Sequence, residues 1–139
     1  MSQPSLQRFA SAVVTITPPQ PIGKVDGMML VMIPITGGQF EGELTAEIMP
    51  GGADWLRSGS DGRVIVDARY ALRTSDGTVI QVLNQGSAAA SVPGQPMWAT
   101  PRFTAPAGPY EWLNHGAYVS AISGNAGDGS IIVEYFRTV

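Results

Sequence analysis

From Gln39 to Ile48, Phe40, Gly42, Leu44, Ala46 and Ile48 alternate with Gln39, Glu41, Glu43, Thr45 and Glu47. A period of two gives a strand one core face and one acidic face. The same pattern, in noisier form, predicts strands at Phe9–Thr17, Val25–Ile33, Val64–Thr74, Thr78–Asn84, Trp98–Thr104, Gly116–Ile122 and Ile131–Thr138, eight with the first. The 17 Gly and 11 Pro break the chain so often that no window long enough for an amphipathic helix survives outside the extreme N-terminus. Ser75-Asp76-Gly77 predicts a tight hairpin, because Asp-Gly supplies the positive φ angles of a short reversing loop. Gly124 to Gly129 predicts a looser hairpin, and Pro50-Gly51-Gly52 ends the third strand with a residue that cannot continue a ladder. Strands in simple succession favour a meander, and closing it removes exposed edges. The expected fold is all-β, a small antiparallel up-and-down β-barrel of eight to nine strands, with a two-sheet sandwich as the alternative.

Length and composition narrow the function more than the fold. A chain of 139 residues without a repeat or low-complexity linker suits one domain, 1–139, able to bury a core without metal or disulfide. An apolar content of 44% with 14% charged residues belongs to a folded protein. The net charge of −3 and the singly scattered Lys and Arg offer no basic stripe for nucleic acid. No cysteine is present, which excludes disulfides, thiolate metal sites and Cys nucleophiles and fits a reducing compartment, so a cytoplasmic location is expected. The opening Met1-Ser-Gln-Pro lacks a basic segment followed by an apolar one, and the run Met28 to Ile35 is too short to span a bilayer. Secretion and membrane insertion lack support.

The candidate chemistry sits where polar and aromatic residues fall at predicted strand ends, the place where a barrel has its mouth. These are Gly51-Gly52-Ala53-Asp54-Trp55, Ala68-Arg69-Tyr70, Asp76-Gly77 and Tyr110-Glu111-Trp112-Leu113-Asn114. His115 is the only histidine, so neither a multi-His metal site nor a convincing triad can be built, and a plain turn or core-edge role outweighs a catalytic one. Ser58, Ser60 and Ser75 read as turn serines without a nucleophile elbow, and the Gly-rich loops lack the helix and Lys of a phosphate cradle. No cofactor and no metal are expected. Met28, Met29 and Met32 read as strand packing.

Asp54 carries two readings of equal weight. Beside Trp55 and partly desolvated, its carboxyl would titrate high enough for proton transfer near neutrality; in a Gly-rich loop it would instead accept backbone N–H bonds as a turn residue. Asp67, Arg69 and Arg73 share one face of the fourth strand. Alternation favours the outside; an inward face would bring the Asp67–Arg69 pair to a ligand. Tyr70 lies on the opposite, apolar face, either tied to a buried partner or donating to a ligand carbonyl. With Trp55, Tyr110, Trp112, Asn84 and Asn114 it is expected to surround one mostly apolar pocket with a few oriented polar groups. The alternative for Trp112 is a hydrophobic plug.

Gly37-Gly-Gln-Phe-Glu-Gly42, Pro50-Gly-Gly-Ala-Asp-Trp55, Asp67-Ala-Arg-Tyr70 with Leu72-Arg-Thr74 and Asp76-Gly77, Pro101-Arg-Phe103 and Tyr110-Glu-Trp-Leu-Asn114 resemble the DUF3237 family, also called UPF0311, in order over nearly the whole chain. The resemblance implies a small antiparallel β-barrel, lipocalin-like in outline, and no general activity. This chain departs from the pattern at Trp98-Ala99, where the family tends to carry an aromatic-Arg pair. An anionic ligand held by that arginine elsewhere would lack its partner here.

These residues point to a barrel that binds a small apolar or aromatic compound and performs cofactor-free proton transfer on an activated carbonyl, as an isomerase, cyclase or lyase. Asp54 is the expected acid or base, Tyr70 and Asn114 the donors, and Trp55, Asn84, Tyr110, Trp112 and Arg69 the ligand contacts. A non-catalytic carrier or sensor would use the same cavity. A module with a filled barrel, assembled as a homodimer or higher homo-oligomer, would need none.

Overall fold

A computed structural model describes residues 3–89 and 94–139. Its strands are β1 (Leu6–Ile16), β2 (Gln20–Val25), β3 (Met28–Gly42), β4 (Ala46–Ile48), β5 (Gly52–Ser58), β6 (Val64–Arg73), β7 (Val79–Ala88), β8 (Met97–Thr104), β9 (Tyr118–Asn125) and β10 (Ser130–Thr138). Every pairing is antiparallel. Several are parts of longer staves. β1 and β2 form one stave broken at Thr17-Pro18-Pro19, where two prolines lack the N–H that a ladder needs. β4 and β5 form another, broken at Met49-Pro50-Gly51. The long β3 spans both breaks, pairing β1 with its second half and β2 with its first, and β4 and β5 with the same two halves on its other side. The path through β10, β9, β8, β7 and β6 returns to β3 and β1, so eight staves close as an up-and-down barrel.

Two of the expected strands contain reversals. Gln39–Ile48 is not one strand: β3 ends at Gly42, whose φ of 136° lets the chain reverse, and β4 starts at Ala46. The period of two survives because Phe40, Leu44, Ala46 and Ile48 are all buried across the corner. A Cβ on Gly42 would lie 2.5 Å from the Phe9 carbonyl oxygen, so β1 crosses too closely for any other residue. Val25–Ile33 likewise contains a reversal, Asp26-Gly27, both with positive φ, between β2 and β3. The hairpins expected at Asp76-Gly77 and at Gly124–Gly129 join β6 to β7 and β9 to β10.

The two ends of the barrel differ. At one, the Glu111–Asn114 turn packs against β8 with Leu113 fully buried. Beneath it Phe9, Phe103 and Tyr118 meet edge to face at 5.4 to 6.0 Å, and Phe40 stacks on Tyr135 at 4.9 Å. Such ring pairs fill the interior and add specific edge-to-face attraction. Arg137 closes this plug from outside, its guanidinium over the rings of Phe9 and Trp112 and paired with Glu43. Toward the other end the inner wall turns to Val, Ile and Ala, which cannot fill the bore. No helix among the described residues is long and apolar enough to cross a membrane.

Candidate functional site

That unfilled half of the barrel is a cavity of about 710 Å³. Its walls are mainly aliphatic: Val14 and Ile16 of β1, Ile33 and Ile35 of β3, Val66 of β6 and Val133 of β10. It reaches the exposed residues Gly94, Gln95, Ser123 and Gly124, which rim the open end. Volume and lining suit an apolar molecule of a few rings.

Inside the rim four polar side chains, Asp54, Tyr70, Asn84 and Tyr135, interrupt this wall. Asp54 does so because Gly52–Ser58 is a strand and not a loop, so alternation sends Asp54 inward and Trp55 outward. Cα partners across the sheet run Ile33, Asp54, Ala68, Asn84 and Pro101. Asp54 and Asn84 therefore lie on one rung, two strands or about 10 Å apart. The small Ala68 between them leaves both facing the same space. Tyr70 is the next inward residue on β6, and its hydroxyl lies 2.5 Å from that of Tyr135 on β10.

Each group has a distinct electrostatic state. Pairing of β5 with β6 lapses between Asp54–Ala68 and Arg57–Ile65, and there the Asp67 N–H donates to Asp54 Oδ1 at 2.9 Å. Burial pushes the Asp54 carboxyl up to about 6; the Asp67 N–H bond opposes this and the nearby Asp67 charge adds to it. Burial also holds the Tyr70 and Tyr135 hydroxyls well above the usual phenol range, so both stay protonated. Ser120, buried on β9, donates to Asn84 Oδ1 at 2.8 Å, and no described residue accepts from Asn84 Nδ2. The amide is thereby oriented, with its Nδ2 donor unused among the described residues.

The other expected site residues lie elsewhere. Trp55 stands on the outer surface, 39% exposed. Arg69 is also outside, donating to Asp67, whose carboxylate is shared with Gln85 and held below the ordinary range by these bonds. Asn114 clamps Ala105 through two bonds of 2.8 Å, at the plugged end, and Tyr110 and Trp112 pack there against the core. The expected ring of Trp55, Tyr70, Tyr110 and Trp112 around one cavity is thus not formed; only Tyr70 lines it. Tyr135 and Ser120 join the site without having been singled out. Ala99 is buried on β8, where a Cβ on Gly86 would come within 2.8 Å of it. Among the described residues no group of three or more His, Asp or Glu could hold a metal ion.

A family model described as "Protein of unknown function (DUF3237)" matches residues 4–138. A Bradyrhizobium diazoefficiens protein, UPF0311 protein blr7842, is 28% identical over 109 residues, covering 68% of this chain and 72% of that one. Among solved structures, an Acinetobacter baumannii protein described as beta-barrel like superposes with a TM-score of 0.86 at 28% identity, over 100% of this chain and 98% of that one. A Penicillium herquei protein described as an enzyme superposes with a TM-score of 0.80 at 25% identity, over 100% and 97%.

Proposed function

From the premise that this chain belongs to the DUF3237 family, we propose that it binds a small apolar or aromatic carbonyl compound in the barrel and catalyses cofactor-free proton transfer on it. The observation that carries this reading is Asp54, a carboxylate with a pKa of about 6 on an apolar cavity wall, on one rung with the Asn84 amide and close along the sheet to the Tyr70–Tyr135 hydroxyl pair. The description of a similar structure as an enzyme supports the class.

In the proposed step, the Asp54 carboxylate takes the proton from the carbon next to the carbonyl. The C–H electron pair moves into the carbonyl and leaves an enolate oxygen. One hydroxyl of the tyrosine pair and Asn84 Nδ2 donate to that oxygen, in a site where such donors act in low dielectric. Asn84, on the cavity wall, takes the donor role that the sequence suggested for Asn114. Returning the proton at another carbon gives isomerisation; expelling a leaving group from the β carbon gives elimination; attack of the enolate carbon on an electrophilic group of the same molecule gives cyclisation. Asp54 ionises as pH rises through about 6, so the rate should rise across the same range.

Deuterium incorporation beside the carbonyl of bicyclic and tricyclic aryl ketones, followed by NMR in D₂O, tests the reading without knowledge of the natural substrate. Asp54→Asn should lower exchange by a factor of about 100 to 10,000 while ketone binding and fold persist. Binding without exchange in the wild type would make the barrel a carrier, and exchange surviving in Asp54→Asn would remove Asp54 as the base.

A further inference from the structure

The cavity is unbalanced in charge. Of the 8 Lys and Arg in the chain, none lines it. Glu134, at its margin, is taken by Arg8 at 2.9 Å on the outside. Among the described residues Asp54 is then the one carboxylate of the wall without a cation, and its single bond from them is the Asp67 N–H to Oδ1. Its other oxygen receives no donor from them. A carboxylate largely withdrawn from bulk water gains from any donor, and most from a charged one, because no cation of the described residues competes for it.

We infer that the barrel is a site for apolar organic amines in their protonated form, with one N–H of the ammonium donating to Asp54 Oδ2 and the hydrocarbon body lying against Ile33, Ile35, Val66 and Val133. The aliphatic wall supplies burial, and Asp54 supplies the charge that selects a cation over a neutral molecule of the same shape. A carboxylate ligand meets a like charge at Asp54 and finds no cation. The inference stands on the cavity and Asp54 alone. One consequence rests on the proposed function: an ammonium on Asp54 occupies the oxygen that would take the proton, so such amines inhibit competitively with the ketone.

The pH dependence follows from what faces Asp54. β3 presents only Ile33 and Ile35; β6 presents Tyr70 and the Asp67 peptide; β10 presents Tyr135; and Arg57, Asp67 and Arg69 lie on the outer surface. The tyrosines stay protonated, so Asp54 sets the profile. The preference for the ammonium is present above about pH 6 and declines as pH falls through it.

Calorimetric titration with naphthylmethylammonium, naphthylmethanol and naphthoate, which share one ring system, tests this. Near pH 7.5 the ammonium should bind about tenfold or more tighter than the alcohol, and the alcohol tighter than naphthoate. The ammonium preference should shrink near pH 4.5 and vanish at both pH values in Asp54→Asn, with alcohol binding retained as proof that the cavity is intact. Equal binding of ammonium and alcohol near pH 7.5, a preference that survives Asp54→Asn, or no binding of any of the three would overturn the inference. Amine preference without ketone exchange upholds the amine site and removes the proposed proton transfer; exchange without amine preference does the reverse.

Discussion

Replacing Asp54 by Asn should make the protein more stable, and only at the pH where the carboxylate is charged. An asparagine keeps an oxygen to accept the Asp67 N–H, so the strand contact survives while the buried charge goes. The folded Asp54 titrates near 6 against an ordinary 3.8. At about 1.36 kcal/mol per pH decade, that gap makes the ionised group cost about 2 to 3 kcal/mol, the lower figure allowing for water in the cavity. The folded chain holds this proton more tightly than the unfolded one. Its contribution is therefore fully present below about pH 3.8 and lost as pH rises through about 6. Urea unfolding of both proteins from about pH 3.5 to 8 should give equal stabilities at the acid end and a gap opening to about 2 to 3 kcal/mol in favour of the variant near pH 8. A pH-independent gap, or a variant less stable near pH 8, would show that the charged carboxylate is satisfied by its surroundings and would refute the reasoning.

Asp67→Asn removes the outer charge that raises Asp54, so NMR titration of the Asp54 carboxyl should show its midpoint falling below about 6; an unmoved midpoint would exclude coupling through the wall. Gly77→Val should cost about 1 kcal/mol or more, because φ is 86° there and open space leaves strain as the sole penalty; an unchanged denaturation midpoint would contradict it. Trp55→Ala, on the outer surface, should leave ketone binding unaltered, and a tenfold loss of affinity would place this indole in the site after all.

The barrel was legible because short-range signals and the closed topology agree: alternation marks inward residues, and Asp-Gly marks reversals. Where the reading slipped, a local signal was ambiguous. The same dipeptide that identifies the turn at Asp76-Gly77 also turns the chain at Asp26-Gly27, but there the apolar flanks Val25 and Met28 mask it as strand. Gly51-Gly52 looks like loop, yet β5 follows because β3 and β6 offer it hydrogen bonds on both sides. Strand alternation therefore turns Trp55 outside, where a loop reading places it at the pocket. Asp54 and Tyr70 stood out as polar groups beside apolar positions. Tyr135 did not, since Ile131 to Phe136 carries apolar residues on both faces with Glu134 as its one charge, and its bond to Tyr70 joins residues 65 apart in sequence. The role of Asn114 was unreadable for a similar reason: nothing local reveals that both halves of its amide are spent on Ala105.

The aromatic plug also governs traffic. With Phe9, Phe40, Phe103 and Leu113 blocking one end, the barrel is a blind tube, and its occupant must back out by the route it entered. In some 710 Å³ two multi-ring molecules cannot pass each other. Any turnover is then confined to a single organic reactant, alone or with water, and each product must vacate before the next molecule can load. Under the proposed function, product and reactant compete for one berth, so product inhibition should raise KM and leave kcat untouched.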